Sequence, residues 1–327
     1  MNNFRKLVIL IFLIPFFFTS CFVTTMAIDG VSTTLAGSNK KGIPQKKNPK
    51  KAGNDAMLAL TGETDVTLVS DFFPTALKLY EIILTQNPDH LGLMSMTGSL
   101  NVMYANAFVQ SPADYLTIDE FDKQDSEYKR AILHYLRGRD RCLNALDGRH
   151  KGFKDLINSA DEDKISKAVK MLDKNDVATA YWAGAGWLGA FSLDPINADM
   201  LGNLGAPVAI LERACELDPD YSNGGIWELL AQFYMSAPVD FGGNPDRAYE
   251  CYDEAVRASD GKTPGPYIVY AQTFCIPNGD EAGFVDALTK ALEINPDDDP
   301  STRLMTTINQ NKAKYLLENK SEYFLEW

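Results

Sequence analysis

Three stretches of this chain end alike, and the shared ending dictates helices of limited length. Ala76, Tyr80 and Ile83 lead into Asn87-Pro88; Leu211, Ala214 and Leu217 lead into Asp218-Pro219; Leu288, Ala291 and Ile294 lead into Asn295-Pro296. Apolar residues three and four apart make one stripe of an amphipathic helix. The residue before a proline is biased away from the α region, so each stripe closes at its proline. The same periodicity recurs elsewhere. From Asp71 to Asn87 the stripe is Phe73, Leu77, Tyr80 and Leu84; between Glu127 and Leu146 it is Tyr128, Ile132, Tyr135, Cys142 and Leu146. Asn244-Pro245-Asp246 opens a helix over Arg247–Ser259 with Ala248, Cys251, Tyr252 and Ala255 on one face. Leu304, Ile308 and Tyr315 continue the pattern near the C-terminus. Alternating runs are scarce, Val66 to Val69 being the best and short. The expected fold class is all-α.

The repeated ending resembles the second helix of a tetratricopeptide repeat, with its A-x3-F and downstream proline. First-helix echoes are Trp227, Leu230, Ala231 and Tyr234, then Tyr267, Tyr270, Ala271 and Phe274. A small residue lets the partner helix approach while the aromatic fills the groove. The three prolines are 131 and 77 residues apart, which does not fit a period of about 34. The expectation is a degenerate tetratricopeptide-like helical-hairpin array with insertions such as Met235 to Asn244.

The N-terminus reads as an export signal. Arg5-Lys6 precede a twelve-residue apolar run, Leu7 to Phe18. At about 1.5 Å per residue that run spans roughly 18 Å, short of a bilayer core of about 30 Å. A cleaved signal therefore fits better than a transmembrane anchor. Phe18-Thr19-Ser20-Cys21 resembles a bacterial lipobox, in which the Cys is acylated and becomes the mature N-terminus; Phe18 stands where Leu is usual. Cleavage after Ala27, with small residues at Thr25 and Ala27, is the alternative. The expected layout is a signal peptide over 1–20, lipidated Cys21 with a Lys-rich tether over 21–55, and a helical-repeat domain over 56–327.

Charge narrows the partners. The chain carries 31 Lys plus Arg against 44 Asp plus Glu, a formal charge of −13. Residues 1–55 hold eight bases and two acids, leaving 23 against 42, or −19, for the rest. A body this acidic repels phosphate, so no nucleic-acid partner is expected.

Longer blocks carry a more specific resemblance. They are Ala56-Met57-Leu58-Ala59, Phe73 to Glu81, Tyr104 to Gln110, Tyr181 to Trp187, Gly242 to Ala248, Asp299 to Leu304 and Lys312 to Leu317. In this order they resemble the T-component (TatT) family associated with TRAP transporters, from about residue 55 to the C-terminus. The resemblance implies a lipid-anchored periplasmic protein associated with the TRAP substrate-binding subunit. It also implies a homotrimer with a hydrophobic-lined hole through each protomer.

Motifs for chemistry are few. Gly184-Ala185-Gly186-Trp187-Leu188-Gly189 spells GxGxxG but lacks the preceding strand that a dinucleotide fold needs. Small residues four apart (Ala180/Gly184, Ala185/Gly189, Gly186/Ala190) instead suit close helix packing, or leave room for a ligand passage beside Trp182 and Trp187. By motif position, the passage candidates are Tyr181, Trp182, Gly186, Trp187, Trp227, Tyr234, Tyr267, Tyr270 and Phe274. His90, His134 and His150 show no zinc spacing, and Asp297-Asp298-Asp299 lacks the alternating ligands of a calcium loop. Cys142, Cys215, Cys251 and Cys275 fall in helical stretches and read as small hydrophobes. No GxSxG elbow or comparable arrangement occurs. No cofactor, metal or enzymatic activity is expected. The expected function is that of an accessory component of a TRAP-type uptake system that relays a small hydrophobic or amphiphilic ligand. A generic scaffold for envelope proteins is the alternative.

Overall fold

A computed structural model describes residues 58–324. Cys21, the signal peptide and the tether lie outside these residues. The described chain is helical, with no strand. We number eleven principal helices: α1 Val66–Gln86, α2 Leu91–Tyr104, α3 Phe121–Arg149, α4 Glu162–Val169, α5 Val177–Leu193, α6 Gly205–Leu217, α7 Gly225–Ser236, α8 Pro245–Ser259, α9 Gly265–Val269, α10 Glu281–Glu293 and α11 Arg303–Glu318. A π-helical turn extends α2 over Ala105–Gln110, and another extends α9 over Tyr270–Cys275.

The stripes read from the sequence face inward. Phe73, Leu77, Tyr80 and Leu84 of α1 are all buried, as are Ala248, Cys251 and Ala255 of α8. Val66 to Val69, the best alternating run, instead forms the first turn of α1. Asp65 caps that turn by accepting from the Leu68 N–H at 3.0 Å, so a local helix start overrides β-branched propensity. Asn244 caps α8 in the same way, its Oδ1 accepting from the Arg247 N–H at 3.1 Å.

Glycines bring three helices together. A Cβ on Gly186 of α5 would lie 2.8 Å from the Tyr135 carbonyl oxygen and 3.1 Å from the Arg139 nitrogen, both on α3. On the other side of α5, Gly184 makes room for Leu211 of α6. The GxGxxG letters are thus a mid-helix packing surface, since α5 runs unbroken through them. Behind α5, the buried Asp176 carboxylate joins the Arg149 guanidinium at 3.1 Å and His150 Nε2 at 2.8 Å, and accepts from the Asp173 N–H at 2.9 Å. This cluster ties the start of α5 to the end of α3.

The helices close on themselves. Packing runs from α1 to α2, α3, α5, α6 and α7, then through α9 and α10 to α11, which returns to α1. Arg303 Nη1 fastens the return by donating to the Gly62 carbonyl at 3.1 Å. Tyr115 and Tyr315 lean together at the same seam, with ring centroids 4.2 Å apart. The last helix of the array thus packs on its first.

Candidate functional site

Two groups of side chains lie deep within the described body yet keep partial contact with solvent.

The first group joins α5 to α7. Tyr181 and Trp182 emerge from α5 with ring centroids 4.8 Å apart at 64°, and Tyr221 completes a third wall 5.5 Å from Tyr181. The Tyr181 hydroxyl reaches the start of α7, where a Cβ on Gly225 would be 3.3 Å from it. One turn along α7 is Glu228. A Cβ on Gly265, at the start of α9, would fall on the Glu228 carboxylate, so glycine there keeps the carboxylate's space open. Burial raises the Glu228 carboxyl to about 7, and no cation offsets it. Burial likewise pushes the Tyr181 phenol up, and that of Tyr221 to about 12. Among the described residues neither the Tyr181 hydroxyl nor the Glu228 carboxylate has a hydrogen-bond or ion-pair partner.

The second group sits at the closing seam. The Tyr128 hydroxyl donates to Asp114 Oδ1 at 2.9 Å. Burial raises the Asp114 carboxyl and depresses the Lys312 ammonium, and each charge partly offsets the other's shift. Lys312 lies on the inner side of α11, on the stripe formed by Leu304, Ile308 and Leu316.

The structure scatters the remaining candidates. The Cβ side of Gly186 is filled by α3, so its glycine serves helix approach. Trp187 is 3% exposed under an Arg139 guanidinium 5.0 Å from its ring. With Asn203 these two line a surface cleft of about 400 Å³. Trp227 donates to the Pro219 carbonyl at 2.8 Å and lies beneath Arg247. Tyr234 is buried, and its hydroxyl donates to Glu212 Oε1 at 2.7 Å. Tyr267 stands apart, its hydroxyl 3.4 Å from the Gly261 carbonyl. Tyr270 and Phe274 stack with ring centroids 5.3 Å apart, and Tyr252 of α8 stacks on Tyr270 at 4.7 Å. Tyr181 and Trp182 are therefore brought together, as are Tyr270 and Phe274, but the nine do not form one constellation.

The π turns expose a repeat that sequence reasoning passed over. Tyr104-Ala105-Asn106-Ala107-Phe108 precedes Pro112, and Tyr270-Ala271-Gln272-Thr273-Phe274 precedes Pro277. Each π turn ends two residues before its proline. A proline ring clashes with the carbonyl four residues back, and a turn widened by one residue relieves the clash. The two helices open at corresponding places and swing their tyrosines and phenylalanines into the core.

Sequence reasoning also missed Tyr221, Glu228, Asp114 and Lys312. Lys312 left a signal, a lone charge on an otherwise apolar stripe. Glu228 left none, because an acid in a first helical turn is ordinary.

Comparison with known proteins gives two matches. The family model described as TRAP transporter T-component matches residues 62–324. An uncharacterized protein of Treponema pallidum (strain Nichols) is 37% identical over 307 residues, covering 94% of each chain.

Proposed function

We propose a role in uptake on a plain premise: the chain belongs to the TRAP transporter T-component family. As a member it is an accessory component of a TRAP transport system at the cell envelope. The finer reading is that it docks on the substrate-binding subunit of that system and relays a small hydrophobic or amphiphilic ligand through its interior. The circuit of helices that returns from α11 to α1, with the partly buried aromatic cluster of Tyr181, Trp182 and Tyr221 between α5 and α7, supports this reading.

Two further features support it. Acylation of Cys21 would hold the body at a membrane on the periplasmic side, and confinement there would raise the effective concentration of nearby partners. On α1, Leu68, Phe72, Leu79 and Ile82 are all exposed and fall on one outer stripe. An apolar stripe of that kind favours assembly, and the homotrimer forms through it.

The test is sedimentation of the mature protein with and without its cognate substrate-binding subunit. The proposal expects a trimer that gains mass with the partner, less so as salt rises, since a −19 body steers a basic patch. No complex at micromolar concentration and low salt would leave the scaffold reading in its place.

A further inference from the structure

The surface cleft lined by α3, α5 and the connection from α5 to α6 contains two buried polar atoms that the protein leaves without partners. We propose that this cleft binds a free α-amino acid, held by Trp187 and Asn203 at its floor and by Arg139 and Asp199 at its edge. The proposal concerns the outer surface and does not rest on the passage reading.

The two atoms are Trp187 Nε1 and Asn203 Oδ1. Trp187 is 3% exposed and Asn203 9% exposed, and neither atom has a hydrogen-bond partner among the described residues. Buried polar atoms are almost always paired, because leaving one unpaired costs about 1–3 kcal/mol. The Asn203 amide is not free to turn. Its Nδ2 donates to the Ile157 carbonyl at 3.2 Å, which leaves Oδ1 as an acceptor for another molecule. The indole N–H can only donate. Both residues line one cleft of about 400 Å³, within the range of small-molecule sites, about 300–1,000 Å³. A donor and an acceptor in one cleft call for an occupant that carries both an acceptor and a donor.

Charge selects that occupant. The Arg139 guanidinium lies over the Trp187 ring, 5.0 Å from its centroid. Its Nε and Nη2 engage Asp140 Oδ1 at 2.9 and 2.8 Å, and its Nη1 has no partner among the described residues. Arg139 is the cover that moves, since its side chain is 20% exposed and the indole it shields is not. A ligand carboxylate accepts from Arg139 Nη1 and from the indole N–H together, and such charge-assisted bonds are the stronger kind. Asp199 is exposed at the edge of the same cleft and has no ion-pair partner among the described residues. A ligand ammonium donates to Asn203 Oδ1 and faces Asp199. A simple carboxylic acid would leave Asn203 unpaired and meet Asp199 and Asp140 as like charges. A simple amine would leave the indole N–H unpaired and meet Arg139. An α-amino acid carries both groups on one carbon, and buried Met200 with Ala198 offers an apolar wall to its side chain.

The experiment is calorimetric titration of the mature protein at pH 7 with three matched probes. They are L-leucine, the hydroxy acid L-2-hydroxy-4-methylpentanoate, and 3-methylbutylamine, which lacks the carboxylate. The proposal expects leucine to bind at least tenfold tighter than either of the others. Asp199→Asn is an exposed change that should leave the melting temperature unaltered. It should weaken leucine severalfold and strengthen the hydroxy acid, because it removes a partner of the ammonium and a repeller of the carboxylate. Trp187→Phe keeps an aromatic ring without the N–H and should weaken leucine and the hydroxy acid alike, with the amine unaffected. A hydroxy acid or amine that binds as tightly as leucine would overturn the proposal. Leucine binding unchanged in both variants, or no leucine binding at millimolar concentration, would overturn it equally.

Discussion

Gly98 of α2 and Gly138 of α3 face each other so closely that a Cβ on either would strike the other's carbonyl oxygen. It would lie 2.9 Å from the Gly138 oxygen in one direction and 2.7 Å from the Gly98 oxygen in the other. Val102, one turn on from Gly98, and Tyr135 and Arg139, on either side of Gly138 along α3, also press on Gly186, so three helices share one node.

Gly138→Ala should therefore destabilise the fold even though alanine is the better helix former. Helix propensity favours Ala by about 1 kcal/mol, but the clash is with backbone and cannot be relieved by a rotamer change. Overpacking of this kind costs about 1–3 kcal/mol. Urea denaturation should show a lower midpoint for Gly138→Ala, and a higher one would mean that the helices can separate at no cost.

The Glu228 carboxyl sets a pH dependence whose sign is opposite to that of a salt-bridged acid. Its folded-state value, about 7, lies above the ordinary 4.5, so between the two the folded state holds a proton that the unfolded state has lost. Stability from this group is full at low pH and declines as pH rises, levelling off above 7. Glu228→Gln removes the decline. Because the group keeps some solvent contact, the gain is about 1–2 kcal/mol at pH 8.5 and close to nothing at pH 4. Thermal melts of wild type and variant across that range measure it; equal differences at both ends would contradict the assignment.

Assembly should depend on the outer face of α1. Leu68 is 57% exposed and Ile82 59% exposed, so neither supports the core of the protomer. Replacing both with Glu should leave the melting temperature within a few degrees while converting a trimer into monomers. Sedimentation velocity distinguishes the species, and a trimer that persists would place the interface elsewhere.

Membrane attachment should depend on Cys21. In Cys21→Ser the protein should leave the membrane pellet and take up no labelled palmitate. A variant that still fractionates with membranes and still takes up label would point to attachment by another route.

The helices were largely legible in sequence because their information is local. Phe73, Leu77, Tyr80 and Leu84 keep helical spacing, and Asn244-Pro245 marks a start that the cap confirms. The closure of the array was not legible. It depends on Arg303 reaching Gly62 across 241 residues and on Tyr115 meeting Tyr315, and no periodicity encodes such distant pairing. The interior aromatics were legible only in part. Tyr181 and Trp182 stood out beside glycines, but their setting depends on Tyr221 and Glu228, which arrive from another hairpin. Trp227 and Tyr234, read as first-helix echoes of a repeat, went elsewhere, because their polar ends found Pro219 and Glu212.

The central claim is that ligand passes directly between this protein and the substrate-binding subunit. It is tested most directly by stopped-flow transfer of a fluorescent amphiphile from loaded binding protein to the mature protein, with Trp182 among the energy donors. The account predicts a transfer rate that rises with acceptor concentration, saturates as the complex fills, and slows as salt rises. A rate independent of acceptor concentration, equal to the spontaneous release of the amphiphile into water, would contradict it.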